Sequence, residues 1–219
     1  MHAVKNVKHS PTQDIGAENE NDGKNMYPGY TVYKNPTVKN ITSDKNGDEP
    51  CYVRMSVDIL NSQGTPITDD QALNLIYKTI YFDKTFTGGY DKKEGKATGL
   101  IQDRIPGYNL AQLAAYPMVN PLWTKDTARS TASKLVFNYM GAKGDGILNI
   151  GEESTLFTNI AIPTDWNQTQ MQKVGNYQLK VTAQAIQSKG FATQSEAYRM
   201  LDEEIKGGTL QEINRGSEN

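Results

Sequence analysis

Along residues 51–60 (CYVRMSVDIL) apolar and polar side chains alternate. Val53, Met55, Val57 and Ile59 fall on one face, and Arg54, Ser56 and Asp58 on the other. A period of two marks a strand with one buried face. The same period recurs at 177–185, where Tyr177, Leu179, Val181, Ala183 and Ala185 oppose Gln178, Lys180, Thr182 and Gln184. Shorter instances are Leu135, Phe137 and Tyr139, then Leu156, Ile160 and Ile162 with Thr158 between them. Repeated alternation with one polar face predicts a mainly β, antiparallel sandwich rather than a parallel α/β sheet. Residues 30–41 (YTVYKNPTVKNI) add a strand rich in β-branched and aromatic residues, with Pro36 marking a bend or an edge. The stretch SDKNGDEP at 43–50 reads as a turn.

Two helices interrupt this pattern. Residues 69–77 (DDQALNLIY) predict a short one. After Thr193 and Glu196, which fit a capping box, Ala197, Met200, Leu201 and Ile205 form an apolar face at helical spacing that ends at Gly207 and Gly208. Residues 83–133 are glycine-rich, with a turn at Pro106-Gly107 and a short helix near 109–115. They read as an insertion between sheet strands, of the length that often carries function. Residues 1–29 are polar throughout and have little to bury, so they read as a flexible arm or as a strand that needs a partner. Residues 30–219 form the predicted β-sandwich domain. The chain has no internal repeat.

Composition narrows the function classes. In 219 residues, 37% hydrophobic and 22% charged, there is enough apolar material for one packed core. Lysine plus arginine (23) nearly balance aspartate plus glutamate (25), with no dense basic stripe, so nucleic acid is not an expected partner. The single cysteine, Cys51, excludes an internal disulfide. No apolar run approaches the roughly 20 residues a membrane-spanning helix needs, so stable membrane insertion is not expected. Nor does MHAVKNVKHS hold the apolar core of a signal peptide. An exported chain with this start is a mature form, with Met1 an added initiator.

Three segments together resemble one family. YKNPTVKN followed by YVRMSVDI is similar to the paired strand motif near the start of exported proteins of the TasA/camelysin group. LNIGEESTLFTNIAIP (148–163) and LKVTAQAIQSKGFATQSEAY (179–198) resemble two later segments of the same family, in the same order, with Tyr198 where tryptophan is common. The resemblance implies a jelly-roll-like sandwich, export, and service as a matrix or filament subunit on Gram-positive cells. It also implies an N-terminal segment that leaves its own subunit to complete the sheet of a neighbour, making self-association or related surface subunits the expected partners. A sandwich lacking a strand exposes unpaired backbone groups, and a mobile arm can supply them. Here Val4, Val7 and Ile15 are the arm's candidate anchors. The 83–133 segment matches no motif of the family. Its Tyr90, Tyr108, Tyr116 and Trp123 make a candidate binding surface for a glycan or protein, the alternative reading being an adhesin.

Camelysin-like relatives have been called metalloproteases, which sets a definite demand on the residues present. A zinc protease needs two imidazoles one helical turn apart and a carboxylate that activates water. The only histidines are His2 and His9, both in the arm, and the same shortage opposes a serine triad. Cys51 opens a strand with no histidine nearby and reads as a small core or edge residue. Members of the pairs Asp69-Asp70, Glu152-Glu153 and Glu203-Glu204 diverge on either a strand or a helix, which leaves them as solvated charges. Asp44, Asn46, Asp48 and Glu49 offer oxygens but lack the EF-hand order. GAKGDG (141–146) is followed by no G-K-[ST] and reads as a hairpin turn. Trp166 and most of the 12 tyrosines are assigned to packing. The expectation is a non-enzymatic protein without cofactor, secreted or at the cell surface.

Overall fold

The computed structural model describes residues 7–10, 26–40, 49–85, 89–91, 96–98 and 107–207, and of residues 7–10, 33, 89–91 and 96–98 the backbone. The protein is mainly β with antiparallel sheets. In chain order the elements are β1 (Val7–Ser10), β2 (Thr31–Tyr33), β3 (Thr37–Asn40), β4 (Cys51–Asn61), α1 (Asp70–Tyr77), β5 (Ile80–Tyr81), β6 (Gly89–Asp91), β7 (Lys96–Thr98) and α2 (Leu110–Leu113). They continue with β8 (Trp123–Lys125), β9 (Lys134–Tyr139), β10 (Ile147–Leu148), β11 (Glu153–Thr155), β12 (Asn159–Ala161), α3 (Gln168–Val174), β13 (Tyr177–Gln187) and α4 (Gln194–Lys206).

The strand with the clearest alternation, β4, is the spine of one layer. β13 pairs with it along its whole length, from Tyr177 opposite Asn61 to Gln187 opposite Cys51. On its other edge β9 pairs at Arg54–Asp58 and β10 at Cys51–Tyr52, so β9 and β10 lie end to end. GAKGDG is therefore not a hairpin turn: it is a loop thrown out between two strands that share one edge, closed by the Gly146 N–H on the Met140 carbonyl at 2.8 Å. Gly146 has φ 73°, in the left-handed region that favours glycine, and the Gln194 carboxamide packs against it. β8 pairs with β9 and completes the layer. The segment expected to be an insertion thus contributes a sheet strand at its far end.

The second layer is built from two bent strands. β2 and β3 are separated at Lys34–Pro36, the bend expected at Pro36, and run against β12 and β11 respectively. Hydrogen bonds from Lys34 N–H to Thr158 O and from Leu156 N–H to Pro36 O, both 2.9 Å, carry the pairing across the bend. β5 pairs with the other edge of β12, and β1 with the other edge of β3. Between the layers lies the principal core: Val53, Met55 and Val57 of β4, Leu135 and Phe137 of β9, Leu148, and from the facing layer Val32, Val38, Leu156, Phe157 and Ile160.

β4 is buried on both faces at its start, and Arg54, expected to face solvent, is only 5% exposed. The reason is α4, which lies across the outer face of β4 and β13 and brings Ala197, Tyr198 and Leu201 onto Tyr52 and Ile186. The Tyr198 hydroxyl donates to the Val53 carbonyl at 2.6 Å. The capping box is shifted by one residue. The Thr193 hydroxyl accepts from the Glu196 amide, while the Glu196 carboxylate accepts from Ala192 N–H rather than from Thr193. Ile205, expected on the apolar face, is 38% exposed. α1 has Asp69 as its N-cap, as its sequence predicts. α3 was not expected, although Asn167 and Gln170 form a complete capping box at its start and Gly175 ends it. Together α1 and α3 close one end of the core around Ile59, Leu73, Ile76, Ile162, Trp166 and Val174.

Candidate functional site

The described part of the arm is β1. It pairs antiparallel with β3, from Val7 opposite Asn40 to Ser10 opposite Thr37, on the edge that β11 leaves free. It also lies beside β13, which among the described residues pairs only with β4. β1 therefore occupies the seam between the two layers and covers an edge of β3 next to the open edge of an eleven-residue strand. Without it, the backbone groups along that side of β3 lack sheet partners. The attachment is short, four residues. Its register sets Lys8 directly opposite Lys39, and Lys39 reaches Glu153 on its other side at 3.4 Å.

Val7, one candidate anchor, thus lies in β1. Val4 and Ile15 lie outside the described residues, as does His2, while His9 is in β1. The arm's boundary shifts from the expected residue 29. Met26 packs against the core, and Gly29 N–H donates to the Ile162 carbonyl at 2.8 Å, so Met26–Gly29 belong to the body.

The candidate binding surface divides. Tyr108 and Tyr116 are half-buried and converge with Tyr81, their ring centroids 5.1–6.2 Å apart, over Leu113 and Ala161. The hydrogen bond with Tyr108, followed by partial burial, pushes the Tyr116 phenol up to about 12. Burial, with Tyr108 and Asp83 nearby, raises Tyr81 as well. Trp123 does not join them. It is 4% exposed in the principal core, stacked edge-on to Tyr139 at 5.3 Å, with its indole N–H donated to the Ser154 hydroxyl at 2.9 Å. A strand position, with its side chain turned inward, removes it from the surface. Tyr90 is in β6, and its side chain lies outside the described residues.

The cysteine and the carboxylates with catalytic potential have structural partners. Burial pushes the Cys51 thiol up to about 12, and the thiol lies 3.7 Å from the Leu148 carbonyl. Cys51 is expected to resist a maleimide at pH 8 in the native protein and to react fully once urea unfolds the chain, as mass spectrometry would show. Asp69 caps α1 and is held below the ordinary carboxylate range by Lys173 and by the Ala72 and Gln71 amides. Glu152 accepts from the Asn149 backbone and side chain, Glu153 pairs with Lys39, and Glu203 pairs with Arg199. Of the cation candidates, Asp44, Asn46 and Asp48 lie outside the described residues, and Glu49 pairs with Lys189 at 3.7 Å. Among the described residues no group of three or more His, Cys, Asp or Glu side chains converges as metal ligands would, and no helix is long and apolar enough to cross a membrane. An open groove of ≈ 590 Å³ separates α1 from α3, lined by Gln71, Asn74, Leu75, Thr169 and Gln172.

The alternation pattern did not announce a charged network beneath α4. Arg54 donates to Gln184 through Nε at 2.7 Å and to Asp202 through Nη2 at 2.6 Å, and its guanidinium lies 5.4 Å from the Tyr198 ring centroid. Arg129 donates to the other Asp202 oxygen at 2.7 Å and to Asp126 at 2.9 Å, and Asn138 donates to Asp126 at 3.1 Å. Two guanidiniums and two carboxylates balance, which is what burial of charge requires. The network clamps α4 to the sheet.

No family model, no curated protein and no solved structure matches this chain.

Proposed function

We propose that this chain is an exported, non-enzymatic structural subunit of a surface fibre or extracellular matrix that assembles by exchanging its N-terminal strand between copies. The observation that carries this reading is the position of β1 in the seam, paired with β3 and beside β13. A short strand at an edge, joined to the body through residues 11–25, is an element that one copy can supply to another at little cost in contacts. Each backbone bond lost in the donor is regained in the acceptor. The three segments that resemble the TasA/camelysin group support the same reading, and with it a jelly-roll-like arrangement of the two layers and partners that are further copies or related surface subunits.

Light scattering after size exclusion, followed by electron microscopy, tests it on the full chain and on a chain beginning at Met26. The full chain is expected to form oligomers or filaments and the shortened one to remain monomeric. Equal assembly by both would remove the arm from the mechanism. A monomer in both cases would end the fibre reading and turn attention to Tyr108 and Tyr116 as a binding surface.

A further inference from the structure

Three polar atoms on the outer face of the second layer have no hydrogen-bond partner: Thr31 Oγ1, Asn159 Nδ2 and Asn159 Oδ1. The register places them together. Asn159 stands between Tyr33 and Tyr81 on the neighbouring strands, and Thr31 is opposite Ala161, two residues further along β12. Directly paired residues share a face, as do residues two apart on a strand, so Thr31 and Asn159 are diagonal neighbours on one face. Ala161 on that same face packs with Tyr81, Leu113, Tyr108 and Tyr116. Asn159 is 0% and Thr31 3% exposed. A buried carboxamide with neither its donor nor its acceptor used is rare in folded proteins, because both groups lose water and gain nothing.

We propose that Thr31 and Asn159 form an internal binding site for a neutral hydroxyl group beneath the tyrosine cluster. The donor set fixes that chemistry. An ion is matched by donors alone or by acceptors alone, whereas a carboxamide beside a hydroxyl presents both. One O–H group donates to Asn159 Oδ1 while accepting from Asn159 Nδ2 or from Thr31, and Thr31 can turn its own hydroxyl to either role. Two sources carry such a group: a sealed-in water, which needs two to four polar partners of this kind, and a sugar hydroxyl entering under Tyr108 and Tyr116, whose rings offer a stacking surface.

Nuclear magnetic resonance on the full, ¹⁵N-labelled chain tests the site and separates the sources. Magnetisation transfer from solvent to the Asn159 side-chain NH₂ identifies water. Saturable shifts of that NH₂ on titration with glucose or N-acetylglucosamine, weakened by Thr31→Val, identify a sugar. Asn159→Leu, similar in volume and without polar atoms, supplies the second readout. Loss of a bound hydroxyl lowers Tm by about 2–4 °C or more, whereas replacement of a truly unpartnered amide by an apolar group raises it. Absence of both resonance signals overturns the site, and so does a gain in Tm.

Discussion

Asp202→Ala is expected to lower the stability of the protein by about 3 kcal/mol, read from the midpoint of urea unfolding at unchanged slope. Asp202 holds two guanidiniums at once, Arg54 at 2.6 Å and Arg129 at 2.7 Å. Their environments differ. The Arg54 side chain is 6% exposed and that of Arg129 29%. Removing the carboxylate leaves Arg54 as a buried cation with only Gln184 and the Tyr198 ring for company, while Arg129 keeps Asp126. Breaking a buried pair in this way typically costs about 3–5 kcal/mol, and the lower end applies because Asp202 itself is 29% exposed and water reaches the gap. Glu203→Ala is the control. Its partner Arg199 is 63% exposed, and such surface pairs are worth about 0.5 kcal/mol or less. Equal effects of the two substitutions would show that α4 is held by Tyr52, Tyr198 and Leu201 alone.

The same network sets a pH dependence. Burial opposes ionisation of Asp202, but the hydrogen bonds from Arg54 and Arg129 outweigh it and hold the carboxyl below its ordinary range. Asp126 behaves alike, burial being outweighed by Asn138 and Arg129. A carboxyl whose folded pKa is depressed stabilises the fold above its unfolded value, near 4, and loses that contribution as pH falls through the folded value. Docking of α4 should therefore be intact at neutral pH and weaken below about pH 4, and Asp202→Ala should lose most of that acid sensitivity.

The mainly β, antiparallel character of the fold and the start of α1 were legible in the sequence for different reasons. β4 and β13 announce themselves because one face of each meets the core, and a period of two survives even where a helix later covers the other face. α1 was legible from Asp69 and its apolar spacing. By contrast, α3 carries a full capping box at Asn167 and Gln170, but its apolar face is little more than Met171 and Val174, too short a run to register as a period. The role of Arg54 was hidden because its partners, Gln184, Asp202 and Arg129, lie far along the chain, and alternation records only which way a residue points. Trp123 was misplaced for a related reason: β8 is three residues long, with a pattern too brief to separate a core strand from a loop. Thr31 and Asn159 are ordinary strand-flanking polar residues in sequence, and only the register that stacks three strands shows that both are buried without a partner.

Locking β1 to β3 within one chain should abolish assembly altogether, and unlocking it should restore assembly. Lys8 and Lys39 are directly opposed. Antiparallel partners have Cα atoms about 4.5–5.5 Å apart, inside the span a disulfide bridges. The native Cys51 does not compete, since it is buried with its thiol pushed up to about 12. In Lys8→Cys/Lys39→Cys oxidised as a dilute monomer, the bridge closes within the chain, and β1 can no longer be given to a neighbour. Non-reducing electrophoresis should then show a single monomeric band, and electron microscopy no filaments. Reduction should release them. If the same variant is assembled first under reducing conditions and oxidised afterwards, the bridges should form between chains and yield a ladder of covalent multimers, because the strand opposite Lys39 then belongs to another copy. A locked monomer that assembles as readily as the unmodified chain would mean that β1 stays at home, and that the copies meet through another surface.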